Sequence, residues 1–370
     1  MAGKYALVCY SYSIEVSPFL TNLCSYLYEN ENVRTDIYLD TLVRHKSFTL
    51  DGANLFILKF PYFEKLLNRK IDFKKKYFVF LLNVFLSFKR YSHIFVVDYL
   101  ALDILRKTNY PLRKVTYISF EGTDYMHGFE KSMIKRSLTK CHSQIIASSE
   151  RAERINAYLQ SNIQFYLFPI SIRPKRVIKH NESATLKMIF SGYFAEWSAI
   201  EELIFLFRHG NYKSAASLLI QGHAMGTKDY YTRIKQLAEN QENIAVDSGY
   251  YTENEHYEML SNNDIGIAFY KNLTGTDNFE NLIYSSGKIA SYLWAGLAVM
   301  TNIDCPLTHR RPFLFVREFS MVDFTESCNK YQNNRNSFKE SAFRLANEKY
   351  NFDTYMADFM NENLKLNRTK

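Results

Sequence analysis

Short apolar runs rich in β-branched residues recur along the whole chain, each followed by a stretch with helical spacing. YALVCY (residues 5–10), VRTDIYL (33–39), a third near 55–59, HIFVVD (93–98), VTYISF (115–120), QIIAS (144–148) and 165–170 form one series. Runs apolar on both faces and separated by helices describe a parallel sheet covered on both sides. After Pro169 the pattern breaks: SIRPKRVIKHNESAT (171–185) is polar and basic and contains a proline, which suits a linker. A second series follows with LKMIF (186–190), SLLI (217–220), IAVD (244–247), IGIAF (265–269) and LAVM (297–300). With 370 residues the chain exceeds one ordinary core, so two domains are expected.

The fold class read from this pattern is α/β, with two Rossmann-like doubly wound domains facing a cleft between the carboxyl ends of their strands. Such sheets bind ligands there. The expected boundaries are 1–170, a linker at 171–185, a second domain at 186–335, and C-terminal helices at 336–370 that pack back on the first domain. Helical spacing in 337–350 and 352–364 supports the last assignment.

A formal charge of +8 points to anionic partners: nucleotides, nucleic acid or an acidic membrane surface. No RNA- or DNA-binding motif accompanies the charge, so nucleic acid is not expected. Five scattered cysteines without a CxxC pair or metal spacing fit free thiols in a reducing compartment. The start, MAGKYALVCYSYSIEV, reads as a strand and lacks a signal-peptide pattern. The longest apolar run, residues 77–88, falls short of the roughly 20 residues that span a bilayer. A cytoplasmic protein is expected.

SSGKIASYLWAGLAVM (285–300) carries the clearest chemical signal. Ser285 or Ser286 suits an N-cap, Ile289, Tyr292 and Leu293 share one face, and Gly296 suits a left-handed helix end. Lys288 in the first turn opposes the helix dipole by about 0.3–1 kcal/mol. Free N–H groups, hydroxyls and a lysine together form a phosphate cradle; a capped helix with a solvent-exposed lysine fits the same residues. It is not a Walker loop, since Ile289 replaces the Ser or Thr that motif needs.

The order of motifs in the second half resembles the donor domain of GT-B glycosyltransferases, in the broad family 4/family 1-like group. The likeness rests on MIFSGYFAEW (188–197), LLIQGH (218–223), ENIAVDSGYYTENEHYEMLSNNDIGIAFY (242–270), the Ser-x-x-Lys segment with its Ala-Gly helix end, and FRLANEKYNFDTYM (343–356). It implies a metal-independent transferase without a cofactor. Ser285, Ser286 and Lys288 would hold the diphosphate of a nucleotide-sugar. The turn Ser191-Gly192-Tyr193 and Gly222 would let backbone approach it, and Lys271 would add charge. Glu280 and Asn281 would meet sugar hydroxyls. The chain departs from the family where two glutamates are usual: Ile283 and Ser291 stand there, which leaves ribose recognition and stereochemistry open. The basic pair usual after the domain's first strand is also absent, with Glu196 and Trp197 in that region. No Asp-x-Asp occurs, so no metal is expected.

On the acceptor side, SFEGTDYMHG (119–128) follows a strand and offers Glu121, Asp124 and His127 as a base and its helpers. An ordinary polar loop is the competing reading, and Asp98 is a weaker candidate. Residues 65–90 mix lysines and arginines with an apolar stretch, which suits either an acidic membrane surface or a core helix. The leading expectation is sugar transfer from a nucleotide-sugar to a glycan or lipid-linked glycan in surface polysaccharide assembly (capsule, O-antigen or lipopolysaccharide), at the inner face of the cytoplasmic membrane. A nucleotide-sugar epimerase and a non-catalytic two-domain sugar-binding protein are the alternatives.

Overall fold

The computed structural model describes residues 4–10, 14, 17–40, 50, 52–58, 71–120, 123, 126–173, 184–210, 216–224, 228–239, 241–249, 251–271 and 282–365. The chain divides into two compact units: Met1–Arg173 with Phe352–Lys370, and Pro174–Asn351.

In the first unit the described strands are β1 (Tyr5–Cys9), β2 (Thr35–Leu39), β3 (Ala53–Ile57), β4 (His93–Val97), β5 (Val115–Ser119), β6 (Ser143–Ile146) and β7 (Tyr166–Leu167). All pair in parallel, in the order β3-β2-β1-β4-β5-β6-β7. β1, β2 and β4 are buried at every position, because helices cover both faces. The covering helices are α1 (Pro18–Glu31), α2 (Ile71–Phe88), α3 (Asp98–Leu105), α4 (Lys131–Lys140) and α5 (Ser149–Leu159). α1 starts with Pro18 at its first position and ends at Asn32 in a left-handed conformation (φ 51°), two ordinary helix punctuators.

The second unit repeats the plan with β8 (Leu186–Phe194), α6 (Ile200–His209), β9 (Ala216–Ala224), α7 (Lys228–Ala238), β10 (Ile244–Asp247), α8 (Glu253–Ser261), β11 (Ile265–Ala268), α9 (Leu282–Ser285), α10 (Gly287–Trp294), β12 (Ala298–Thr301), β13 (Phe313–Phe315), α11 (Met321–Gln332) and α12 (Arg335–Lys349). Its parallel order is β10-β9-β8-β11-β12-β13. The order reverses between β8 and β11, the position at which doubly wound sheets bind ligands.

Three local outcomes differ from the sequence reading. Ser191-Gly192-Tyr193 is not a turn, because β9 is as long as β8 and pairs with it through Gly192↔Gly222 to Phe194↔Ala224. The chain turns later, in a 3-10 turn at Glu196–Ser198. β13 escaped prediction because a three-residue strand is too short to show a period. The expected C-terminal block divides: α12 lies in the second unit, whereas α13 (Phe352–Phe359) belongs to the first. There Phe352, Met356, Phe359 and Met360 join a core with Phe19, Leu23 and Phe168.

Candidate functional site

The site grows from two glycines. Gly192 of β8 and Gly222 of β9 are register partners, and a Cβ built on Gly222 would lie 1.7 Å from the Gly192 carbonyl oxygen. No side chain fits there. A Cβ on Gly192 would in turn lie 3.0 Å from Lys288 Cε and 3.2 Å from its Nζ. Bare backbone at the ends of two strands therefore leaves the space that Lys288 occupies.

Lys288 sits in the first turn of α10, capped by Ser286, whose hydroxyl accepts the Ile289 N–H at 3.4 Å. Tyr270, just beyond β11, meets the same hydroxyl at 2.7 Å and is itself fixed by a pair of hydrogen bonds with Asn302. The Lys288 ammonium lies 4.0 Å from the centroid of the Phe190 ring and 5.1 Å from that of Tyr270. It is shut off from solvent and has no hydrogen-bond partner among the described residues. Burial brings its pKa down to about 7. That corresponds to on the order of 5 kcal/mol against the charged form, and cation–π attraction returns only about 1–2 kcal/mol of it. An anion at the α10 amino end would satisfy both the ammonium and the free N–H groups.

α10 is held rigidly behind this point. Tyr292 fills the gap left by Gly266, where a Cβ would lie 2.3 Å from its ring. Its hydroxyl accepts the Ser191 N–H at 2.8 Å and donates to the Ile267 carbonyl at 3.2 Å. Trp294 Nε1 donates to the Tyr350 carbonyl at 3.0 Å, and Gly296 ends the element with φ +76°. Ser291 and Ile283 are both buried, and neither side chain carries the carboxylate that the resemblance associates with ribose.

Beside the glycines runs a polar chain. Ser191 Oγ donates to Gln221 Oε1 at 2.7 Å and lies 2.9 Å from His256 Nε2. Since the hydroxyl proton is already used, His256 must donate from Nε2. Burial lowers the His256 pKa, which keeps the ring neutral near pH 7. Gln221 Nε2 reaches the Gly249 carbonyl at 3.3 Å, so β8, β9 and the chain after β10 are tied together.

Among the sequence-derived residues, Ser191, Gly192, Gly222, Ser286 and Lys288 come together, and Ser285 is buried at the end of α9. Tyr193 is half-exposed. Lys271 donates its backbone N–H to the Trp197 carbonyl, and its ammonium is ion-paired with Glu202. Glu280 and Asn281 lie outside the described residues, as do Glu121 and Asp124. His127 is exposed and stacks edge-on against Tyr158, with ring centroids 5.4 Å apart. Asp98 is buried with φ +55°, and its Oδ1 accepts the Phe120 N–H at 2.9 Å. Phe190, Tyr270, Gln221 and His256 were not foreseen; the places of the first three at the ends of apolar strand runs could have marked them, whereas His256 lies within α8 and carried no such signal. No group of three or more His, Cys, Asp or Glu that could hold a metal occurs among the described residues.

No family model and no curated protein matches the sequence. Solved structures do match the fold. A sucrose-phosphate synthase from Thermosynechococcus elongatus superposes with TM-score 0.72 at 11% identity over 100% of both chains. Anabaena HepE, solved with UDP-glucose, gives 0.67 at 9% over 97% of this chain and 99% of its own. The lipopolysaccharide outer core galactosyltransferase WaaB gives 0.57 at 14% over 98% and 100%. The chain has the GT-B fold. The glycine pair joins β9 to β8, the strand at which the order of the second sheet reverses, and the capped lysine lies against Gly192 of β8.

Proposed function

We propose that the protein is a glycosyltransferase that binds a nucleotide-diphosphate sugar at the β8–β9–α10 site and passes the sugar to a glycan or lipid-linked glycan. The observation that carries this reading is the buried Lys288 ammonium, without a hydrogen-bond partner among the described residues, at a capped helix amino end and against the bare backbone of Gly192. A diphosphate placed there would supply the missing acceptor for the ammonium. As the sugar–oxygen bond breaks, charge develops on that diphosphate. Lys288 and the α10 N–H groups would stabilise it without reorganising. One neighbour of the fold, Anabaena HepE, was solved with UDP-glucose, with UDP and glucose, and with UDP, which supports the donor class. The proposed acceptor belongs to surface polysaccharide assembly at the inner face of the cytoplasmic membrane. WaaB, a lipopolysaccharide transferase of the same fold, supports that direction. His127, with Glu121 and Asp124 beside it in the sequence, remains the proposed acceptor-side group.

The test is a panel of nucleotide-sugars screened for binding and for turnover with and without glycan acceptors. Binding that Lys288→Ala weakens about tenfold or more, with transfer only when acceptor is present, supports the reading. Rearrangement of the donor sugar without acceptor would replace it with an epimerase, and tight binding of free sugar alone with a non-catalytic binding protein.

A further inference from the structure

Residues 73–97 contain Lys74, Lys75, Lys76, Lys89 and Arg90 and no acidic residue. α2 occupies most of this stretch, and its inward row Phe78, Leu82 and Leu86 is buried in the first unit's core. Lys75 is engaged inside the unit with Asp103 at 2.7 Å and Lys89 with Asp36 at 2.9 Å. The opposite face is different. Lys76, Phe80, Val84 and Phe88 are four residues apart in succession, so they form one row along the helix, and all four are exposed. Phe80 is 63% and Phe88 82% exposed, whereas Leu167, Phe205 and Val322, also large and exposed, lie on separate elements.

We infer that this row is a docking surface for an anionic phospholipid membrane. The outer row is an apolar ridge about 12 Å long, from the rise of 1.5 Å per residue, with Lys76 at one end and Arg90 beyond the other. A ridge on a single helix is convex, and a convex apolar surface suits a deformable lipid interface better than a rigid partner. The flanking cations select an acidic one. They also oppose pairing of two copies through this face, because like charges would meet. The helix would lie in the interface plane with Phe80 and Phe88 inserted and its inner row still in the protein core. This surface is separate from the donor site and does not depend on it.

The experiment is co-sedimentation of the full-length protein with vesicles of phosphatidylcholine, with and without phosphatidylglycerol. The wild type is expected to bind the anionic vesicles, and more weakly as salt is added. Phe80→Ser with Phe88→Ser should lower partitioning tenfold or more, and Lys76→Gln about fivefold. A Val84→Trp reporter should shift its fluorescence to the blue on anionic vesicles only. The paired serine variant should keep wild-type thermal stability and nucleotide-sugar binding, which separates this inference from the donor reading. Unchanged partitioning of the serine variant would overturn it. So would a dimer of the wild type that the same variant dissociates.

Discussion

Lys288 combines three conditions that all oppose its charge: burial, a helix amino end and no acceptor for its protons among the described residues. Its folded pKa of about 7 lies below the unfolded value near 10.4, so the unfolded chain binds more protons between those limits. Stability should therefore rise with pH over that window and be lost as pH falls toward 7. Lys288→Met removes the buried charge at similar volume and should stabilise the ligand-free protein by about 1–3 kcal/mol at pH 7. The thermal midpoint of the second unit should rise by about 3–10 °C. That gap should narrow by pH 9, and scanning calorimetry at both pH values checks it. The lysine and its serine cap were legible in the sequence, because a cation in a first turn runs against the dipole. Phe190 and Tyr270 were not, since a ring lining a site and a ring filling a core look alike in an apolar run. The surroundings of Lys271 were hidden for a related reason: the sequence shows a cation after a strand but not Glu202 one helix away.

Among elements, the β8–β9 pair decides whether a site exists. Its nine-residue register brings Gly192 against Gly222, and the contact leaves no room for a methyl group. Gly222→Ala should force the strand ends apart, costing about 3 kcal/mol of stability and abolishing donor binding. Chemical denaturation and calorimetric titration measure the two effects. The alternation of apolar runs and helices made both sheets readable, because strands buried on both faces leave no polar positions. The end of β8 was misread: Ser-Gly-Tyr is turn-like locally, and only a partner strand of equal length keeps it extended. The short β13 carried no period to read.

For the whole molecule, the chain's last described helix returns to the unit in which the chain begins. Arg173 pairs with Asp353 at 2.7 Å and with Glu29 at 2.8 Å, while Phe352, Met356, Phe359 and Met360 complete the core around Phe19. Ending the chain at Asn351 would strip that core, and the shortened protein should lose several kcal/mol from its first unit. Its melting transition should fall well below that of the full chain. Helical spacing showed that terminal helices exist; the split between α12 and α13 depends on which core has space for Phe352, which spacing does not record. The central claim is that a diphosphate takes up the orphaned ammonium. It is tested most directly by titrating the binding nucleotide-sugar at pH 8 in buffers of different ionisation heat. With Lys288 largely neutral before binding and charged after it, close to one proton should be taken up per donor bound, and Lys288→Met should take up none. Binding without proton uptake, or binding that Lys288→Met leaves intact, would contradict the account.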